Sequence, residues 1–308
     1  WLGMTASPER TDDFDVFEAF DHNIAYEIRL QQAMEENLLC PFHYFGITDL
    51  RIDGEAVEDK ADFNCLISDT RVDYVIEQAA FYGFSGSRVK GLIFCSSKRE
   101  AAVLSEKFND RGFRALALTG EDKQEKREEA VERLVSDGRE DILDYIFTVD
   151  IFNEGVDIPE INQVIMLRPT ESPIVFVQQL GRGLRKAEDK EYVVILDFIG
   201  NYENNFMIPI ALSGERNYNK DNMRRYVMEG CRVIPGASTI HFDEIAKNKI
   251  FRSIDQMKGI KSIIKKSYRD LKYRLGRVPT LMDFYKNGEV DPLLILEHYK
   301  TYYYFLQS

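Results

Sequence analysis

The sequence predicts an α/β fold: a parallel sheet covered by helices on both faces, followed by a mainly helical C-terminal region. Three observations predict it. Short apolar runs bounded by polar residues recur between Val89 and Phe198, as expected of strands buried on both faces. Between them lie stretches with apolar residues at helical spacing, such as Val72, Val75, Ile76, Ala79 and Ala80. The connections are short, which points to right-handed β-α-β crossovers in one sheet.

Residues 1 to 10 read as a buried strand and a loop. Asp12 to Phe20 reads as a short helix, Ile24 to Ile28 as a strand, and Leu30 to Leu39 as a helix ending before Pro41. The aromatic run Phe42 to Thr48 is a strand, and the acidic stretch Asp49 to Asn64 an irregular excursion outside the core. Arg71 to Tyr82 is a helix, Val89 to Cys95 a strand, and Lys98 to Asp110 a helix closed by Gly112. Phe113 to Leu118, Leu143 to Val149, Val164 to Leu167 and Tyr192 to Phe198 are strands. Lys123 to Val135 and Pro173 to Lys186 are helices. After about Asn201 the alternation stops, and Gly236-Ala237-Ser238 reads as a joint. The expected organisation is therefore 1–28, 29–215 and 216–308.

Composition excludes several classes. An apolar content of 44% and a charged content of 30% are those of an ordinary soluble protein. No apolar run reaches the 18 or so residues of a membrane span. Cys40, Cys65, Cys95 and Cys231 are too dispersed for a zinc clip, and free thiols point to a reducing, cytoplasmic setting. The net charge of −12 argues against a nucleic-acid partner, but its distribution weakens that argument. Eleven basic residues lie between Lys247 and Arg277, opposed only by Asp255 and Asp270. In that segment Ile250, Ile254, Met257, Ile260 and Ile264 form an apolar stripe suited to packing on the sheet domain. Its charges fit a solvated face and a DNA contact equally well.

In open parallel sheets, ligands sit beyond the carboxyl ends of the strands. Ser96 and Ser97 follow one strand, Thr119 and Gly120 the next, and Thr148 ends a third, ahead of Asn153-Glu154-Gly155-Val156-Asp157. Arg168 and Ser172 follow a fourth and lead to Gln178-Gln179-Leu180-Gly181-Arg182-Gly183-Leu184-Arg185. Each has an ordinary reading: Ser97 and Ser172 as N-caps, Thr119-Gly120 and Asp157 as turn formers. Their coincidence at one edge favours a phosphate-binding site. In the last stretch, two glycines costly to a helix flank two arginines three apart. Guanidinium forks placed so match phosphate oxygens.

This ordered set resembles the helicase superfamily 2 proteins, whose motor is a pair of RecA-like lobes. Leu92 to Ser97 looks like their motif IV, and Leu118-Thr119-Gly120 like the nucleic-acid contact that follows it. Thr148 to Pro159 resembles motif V, and Gln178-x-x-Gly181-Arg182-x-x-Arg185 is similar to motif VI, the most specific match. Thr5-Ala6-Ser7-Pro8-x-Arg10 resembles motif III, at the end of the first lobe. The resemblance covers about residues 1 to 200 and is strongest to the DNA-directed group of restriction-enzyme motor subunits and repair helicases.

The resemblance implies an ATP-dependent motor using ATP and Mg²⁺, working on DNA through its backbone phosphates. A nuclease or a restriction or repair protein is an implied partner, and no membrane is. Arg182 and Arg185 would reach the γ-phosphate, with Gln178 positioning water or linking the lobes. Gly155, Asp157 and Gly181 would lie by the nucleotide. Ser96, Ser97, Thr119, Gly120 and Thr148 would hold strand phosphates, and Thr5, Ser7 and Glu154 would couple the lobes. No G-x-x-x-x-G-K-[ST] loop occurs in the chain, nor does the acidic motif expected before motif III. Thr239 to Glu244 imitates that motif but falls outside the strand rhythm, and reads as a helix start. The expectation is a fragment, inactive alone, holding the second lobe, part of the first and a C-terminal addition. The competing expectation is a non-enzymatic nucleic-acid-binding or protein-interaction module with a degenerate motor fold.

Overall fold

A computed structural model describes residues 33–34, 36–52, 55–56, 63–149, 158–168, 184–200, 202, 205–213, 219–229, 237–256, 259–286 and 292–307. Seven strands form one sheet: β1 (Phe42–Thr48), β2 (Gly91–Phe94), β3 (Ala115–Leu118), β4 (Tyr145–Thr148), β5 (Gln163–Met166), β6 (Val193–Ile199) and β7 (Thr239–Phe242). They lie in the order β3-β4-β2-β5-β6-β1-β7, and every neighbouring pair is parallel. All five strands expected between Phe42 and Phe198 after the first, and that first strand itself, are present. Their ends differ from the expected ones by at most two residues.

Two apolar layers follow from strand alternation. On one face Val72, Val75 and Ala79 of α1 (Asp69–Tyr82) pack with Ala101, Leu104 and Phe108 of α2 (Lys98–Asp110), against Ile93, Phe147, Ile165 and Leu196. On the other face α3 (Gln124–Val135), α4 (Met207–Ser213), α5 (Lys220–Glu229), α6 (Glu244–Gln256) and α7 (Ile260–Leu275) cover Phe42, Leu92, Ile146, Val164 and Ile195. The shorter helices α8 (Leu281–Lys286), α9 (Pro292–Tyr299) and α10 (Tyr302–Gln307) complete the C-terminal region. The stripe residues Ile250, Ile254 and Ile264 are fully buried in this second layer, as their spacing predicts. Among the described residues, no helix is long and apolar enough to cross a membrane.

Three local expectations need correction. Thr239 to Phe242 is a strand, not a helix start. It pairs in parallel with β1, His43 opposite Thr239, and α6 begins only after Asp243. Asp243 joins the two: Oδ2 accepts from Thr48 N at 2.6 Å and Oδ1 from Thr48 Oγ1 at 2.7 Å and Ala246 N at 2.5 Å. The stretch from Asp49 is no mere excursion. Asp49 is buried, and a short antiparallel ladder pairs Arg51–Ile52 with Glu55–Ala56. The helix expected to run to Lys186 does not reach it: Leu184 to Lys186 are not helical, and Arg185 lies in a bend. The helix expected at Asp12 to Phe20 and the strand expected at Ile24 to Ile28 lie outside the described residues.

Candidate functional site

The register sets Leu118, Thr148, Phe94 and Met166 abreast at the carboxyl edge of the sheet. The residues expected to meet phosphates extend from this row. Ser96 and Ser97 are exposed, and Ser97 is the N-cap of α2, its Oγ accepting from Glu100 N at 3.1 Å. Glu100 Oε2 in return accepts from Ser96 N at 2.8 Å. This variant of the capping box freezes the turn. It leaves both serine hydroxyls with a proton to donate outward, while the Ser96 N–H is already used.

Glu100 is fully buried, and a second carboxylate and a guanidinium explain how. Arg71 donates to Asp49 at 2.8–3.2 Å, to Glu100 Oε1 at 3.4 Å and to the Leu66 carbonyl at 2.9 Å. Burial works against the Arg71 charge, but Asp49, and after it Tyr202 and Glu100, outweigh it and hold its pKa above the ordinary value. Burial pushes the Glu100 carboxyl up, against the pull of Arg71 and the Ser96 N–H. The network ties the end of β1, the start of α1 and the first turn of α2 behind the serine loop. Sequence reading missed it, although Ser97-x-x-Glu100 is a capping-box signature visible in the chain.

Thr119 and Gly120 occupy a turn that satisfies itself. Asp122 Oδ2 accepts from Thr119 N at 2.7 Å and from its Oγ1 at 3.2 Å, and Thr119 Oγ1 accepts from Glu121 N. The Thr119 hydroxyl proton is thus already given away. Arg127 Nη2 donates to the Gly120 carbonyl at 2.7 Å, and Lys98 Nζ to Glu121 at 2.6 Å, joining this turn to the serine loop. Thr148 is fully buried, and its hydroxyl has no hydrogen-bond partner among the described residues. Its expected direct contact with a strand is therefore corrected, because the side chain is inside rather than at the surface.

Arg185 is exposed, and its neighbours fix its place. Leu184 is fully buried and its carbonyl accepts from Cys40 N at 2.7 Å, just ahead of β1. Lys186 Nζ donates to Asn37 Oδ1 at 3.1 Å. At the opposite, carboxyl edge, Arg168 follows β5 and is close enough for its charge to act on Cys95, whose thiol burial pushes up. Gln178, Gly181, Arg182, Glu154, Gly155, Asp157, Thr5 and Ser7 lie outside the described residues. No group of three His, Cys, Asp or Glu suited to a metal occurs among the described residues.

Comparison with known proteins agrees with this geometry. Residues 73–187 match the family of the helicase conserved C-terminal domain, and residues 264–308 a domain of unknown function. IRC3 of Saccharomyces cerevisiae, a candidate ATP-dependent helicase, is 26% identical over 206 residues, covering 65% of this chain and 29% of IRC3. The pre-mRNA-splicing ATP-dependent RNA helicase prp28 of Schizosaccharomyces pombe is 29% identical over 105 residues, 34% of this chain and 15% of that protein. Among solved structures, a fragment of a candidate HsdR subunit of a type I restriction enzyme from Vibrio vulnificus aligns with a TM-score of 0.47 and 22% identity. That alignment covers 64% of this chain and 39% of the fragment. The chain spans less than half the length of the first curated relatives it matches. Residues 73–187 thus match the helicase conserved C-terminal domain, in agreement with the motif order and the all-parallel sheet.

Proposed function

We propose that the chain is the C-terminal motor lobe of an ATP-dependent DNA helicase or translocase, with the lobe at 29–215 and an accessory region at 216–308. The observation that carries this reading is the coincidence of the family match with one sheet edge. That edge presents two outward serine hydroxyls and an exposed glycine turn, while Arg185 is exposed and anchored at the other edge, beside the residues that lead into β1. In this reading Ser96, Ser97 and Gly120 meet phosphates of the tracked strand, contacts that carry no sequence information. Thr119 joins them only if Asp122 releases its hydroxyl. Thr148 supports the turn from inside. The capping box and the Arg71 network hold the serines in place, so that no ordering cost falls on binding.

Arg185, with Arg182, is given the γ-phosphate. A guanidinium supplied to a transferring phosphoryl group offsets the charge that develops there and contributes about 10³–10⁵ in rate in related chemistry. ATP and Mg²⁺ are held mainly by a first lobe, with Gly155, Asp157 and Gly181 on this side and Gln178 positioning water. Thr5, Ser7 and Glu154 transmit the nucleotide state between lobes. Arg185→Ala in the complete protein is expected to abolish DNA-stimulated ATP hydrolysis while leaving the melting temperature unchanged. Turnover at the wild-type rate in that variant overturns the proposal.

A further inference from the structure

On the α1 side, the sheet extends one strand further than the helix that covers it. The register sets His43 beside Thr239 and Phe45 beside His241, so these four side chains share that face. Ile240 and Phe242 turn the other way, into the opposite core. α1 reaches as far as β1: Tyr82 packs on Phe45 at 4.1 Å between ring centroids, and Tyr74 on Phe198 at 5.9 Å. His241 lies one strand beyond, stacked on Phe45 at 5.6 Å and 13°, and is exposed. Among the described residues, no strand pairs with the outer edge of β7.

This corner holds a ring-lined cleft. Phe45, Gly46, Tyr82, His241, Phe242 and Asp243 border an open cavity of about 300 Å³. Phe81, 78% exposed, extends the row of rings by packing edge-on against Tyr82 at 5.0 Å. Two exposed carboxylates stand beside the rings. Asp243 accepts from the neutral donors of Thr48 and Ala246, and Glu77 lies one helical turn before Phe81. Neither forms an ion pair among the described residues. Burial, and after it the Asp243 charge, push the Tyr82 hydroxyl up. The Tyr74 hydroxyl is pushed up to about 12 by burial, then by Asp243, Asp49, Tyr82 and Glu77. Phosphates and anionic headgroups meet like charge on such a surface. A guanidinium suits it, because it stacks on aromatic faces and forks to a carboxylate. An open strand edge, in turn, takes an extended peptide, whose alternate side chains fall on the face that carries His241.

We propose that the outer edge of β7 and the cleft beside it dock an arginine-bearing, extended segment of a protein partner. The segment's backbone pairs with β7. One guanidinium lies against the Phe45 and Tyr82 rings toward Asp243, with Phe81 and Glu77 at the rim. The surface is separate from the serine loop, which follows β2, four strands along the sheet and about 19 Å away. It does not depend on the reading of the chain as a motor lobe.

The test is fluorescence anisotropy of a labelled peptide of alternating valine and arginine, titrated with the intact protein. The same peptide with neutral citrulline for arginine is expected to bind about tenfold more weakly. Replacing Asp243 would also remove the cap of α6 and the partner of Thr48, so the variant uses exposed residues instead. Glu77→Gln, Phe81→Ala and His241→Ala together are expected to weaken the arginine peptide about tenfold. Glu125→Gln with Glu129→Gln, which removes exposed carboxylates of α3 away from the rings, leaves its affinity unchanged. Equal affinity for the two peptides overturns the proposal. So does unchanged affinity in the triple variant with its unfolding midpoint intact, or an equal loss in the α3 variant. A dimer in sedimentation that the triple variant abolishes would make the occupant a second copy of this chain, and oligothymidylate binding that it weakens would make it a nucleic acid. Either result also overturns the proposal. The motor reading is tested separately by Arg185→Ala, so either can fail alone.

Discussion

Replacing Asp197 by Asn is expected to make the protein more stable above neutral pH and to remove part of its pH dependence. Asp197 is 2% exposed in β6, abreast of Met166 and Gly46, and accepts a hydrogen bond from the Tyr44 hydroxyl. Burial pushes its carboxyl from 3.8 up to about 7, against the smaller pull of the Tyr44 hydroxyl. A rise of that size is worth about 4 kcal/mol when the group is forced to ionise in the folded state. Between about pH 4 and pH 7 the folded chain binds more protons here than the unfolded chain. Its stability therefore falls as pH rises through that window. Asn keeps a carbonyl oxygen for Tyr44 and cannot ionise. Urea unfolding followed by circular dichroism from pH 5 to 8 is expected to show the variant gaining on wild type with rising pH, by up to about 4 kcal/mol at pH 8. Parallel pH curves for the two proteins refute the reasoning.

Two further outcomes are expected. Arg71→Met leaves the buried Asp49 and Glu100 without their counter-ion and should cost about 3–5 kcal/mol. Most of that should return when Asp49→Asn and Glu100→Gln are added, as read from urea midpoints, whereas no recovery would show that Arg71 acts through packing alone. Gly46→Ala places a Cβ 2.3 Å from Cδ1 of Phe242, itself buried under α6. It should cost about 1–3 kcal/mol and raise hydrogen exchange first in β7, and uniform exchange across the sheet would contradict that.

Much of the fold was legible because its signals are local. The strands from Val89 to Phe198 announce themselves as apolar runs, and α1, α2 and α3 as periodic stretches with ordinary caps, Ser68 and Ser97 among them. The serine loop and the Thr119 turn were placed at the carboxyl edge because the order of strands in the chain fixes which residues end them. Asp49 resisted reading because an acidic residue in an irregular stretch carries no sign of a partner 22 residues away.

The sequence by itself determined the strands from Phe42 to Phe198, the helices between them and their order, since periodicity and motif spacing are properties of neighbouring residues. Only the tertiary structure decided that β7 closes the sheet beside β1, pairing residues 196 positions apart. It alone decided that Thr148 is buried and that Thr119 spends its proton on Asp122. Such outcomes depend on which distant surfaces meet. Local pattern carries no term for that, because the cost of closing long loops is repaid only by the assembled core.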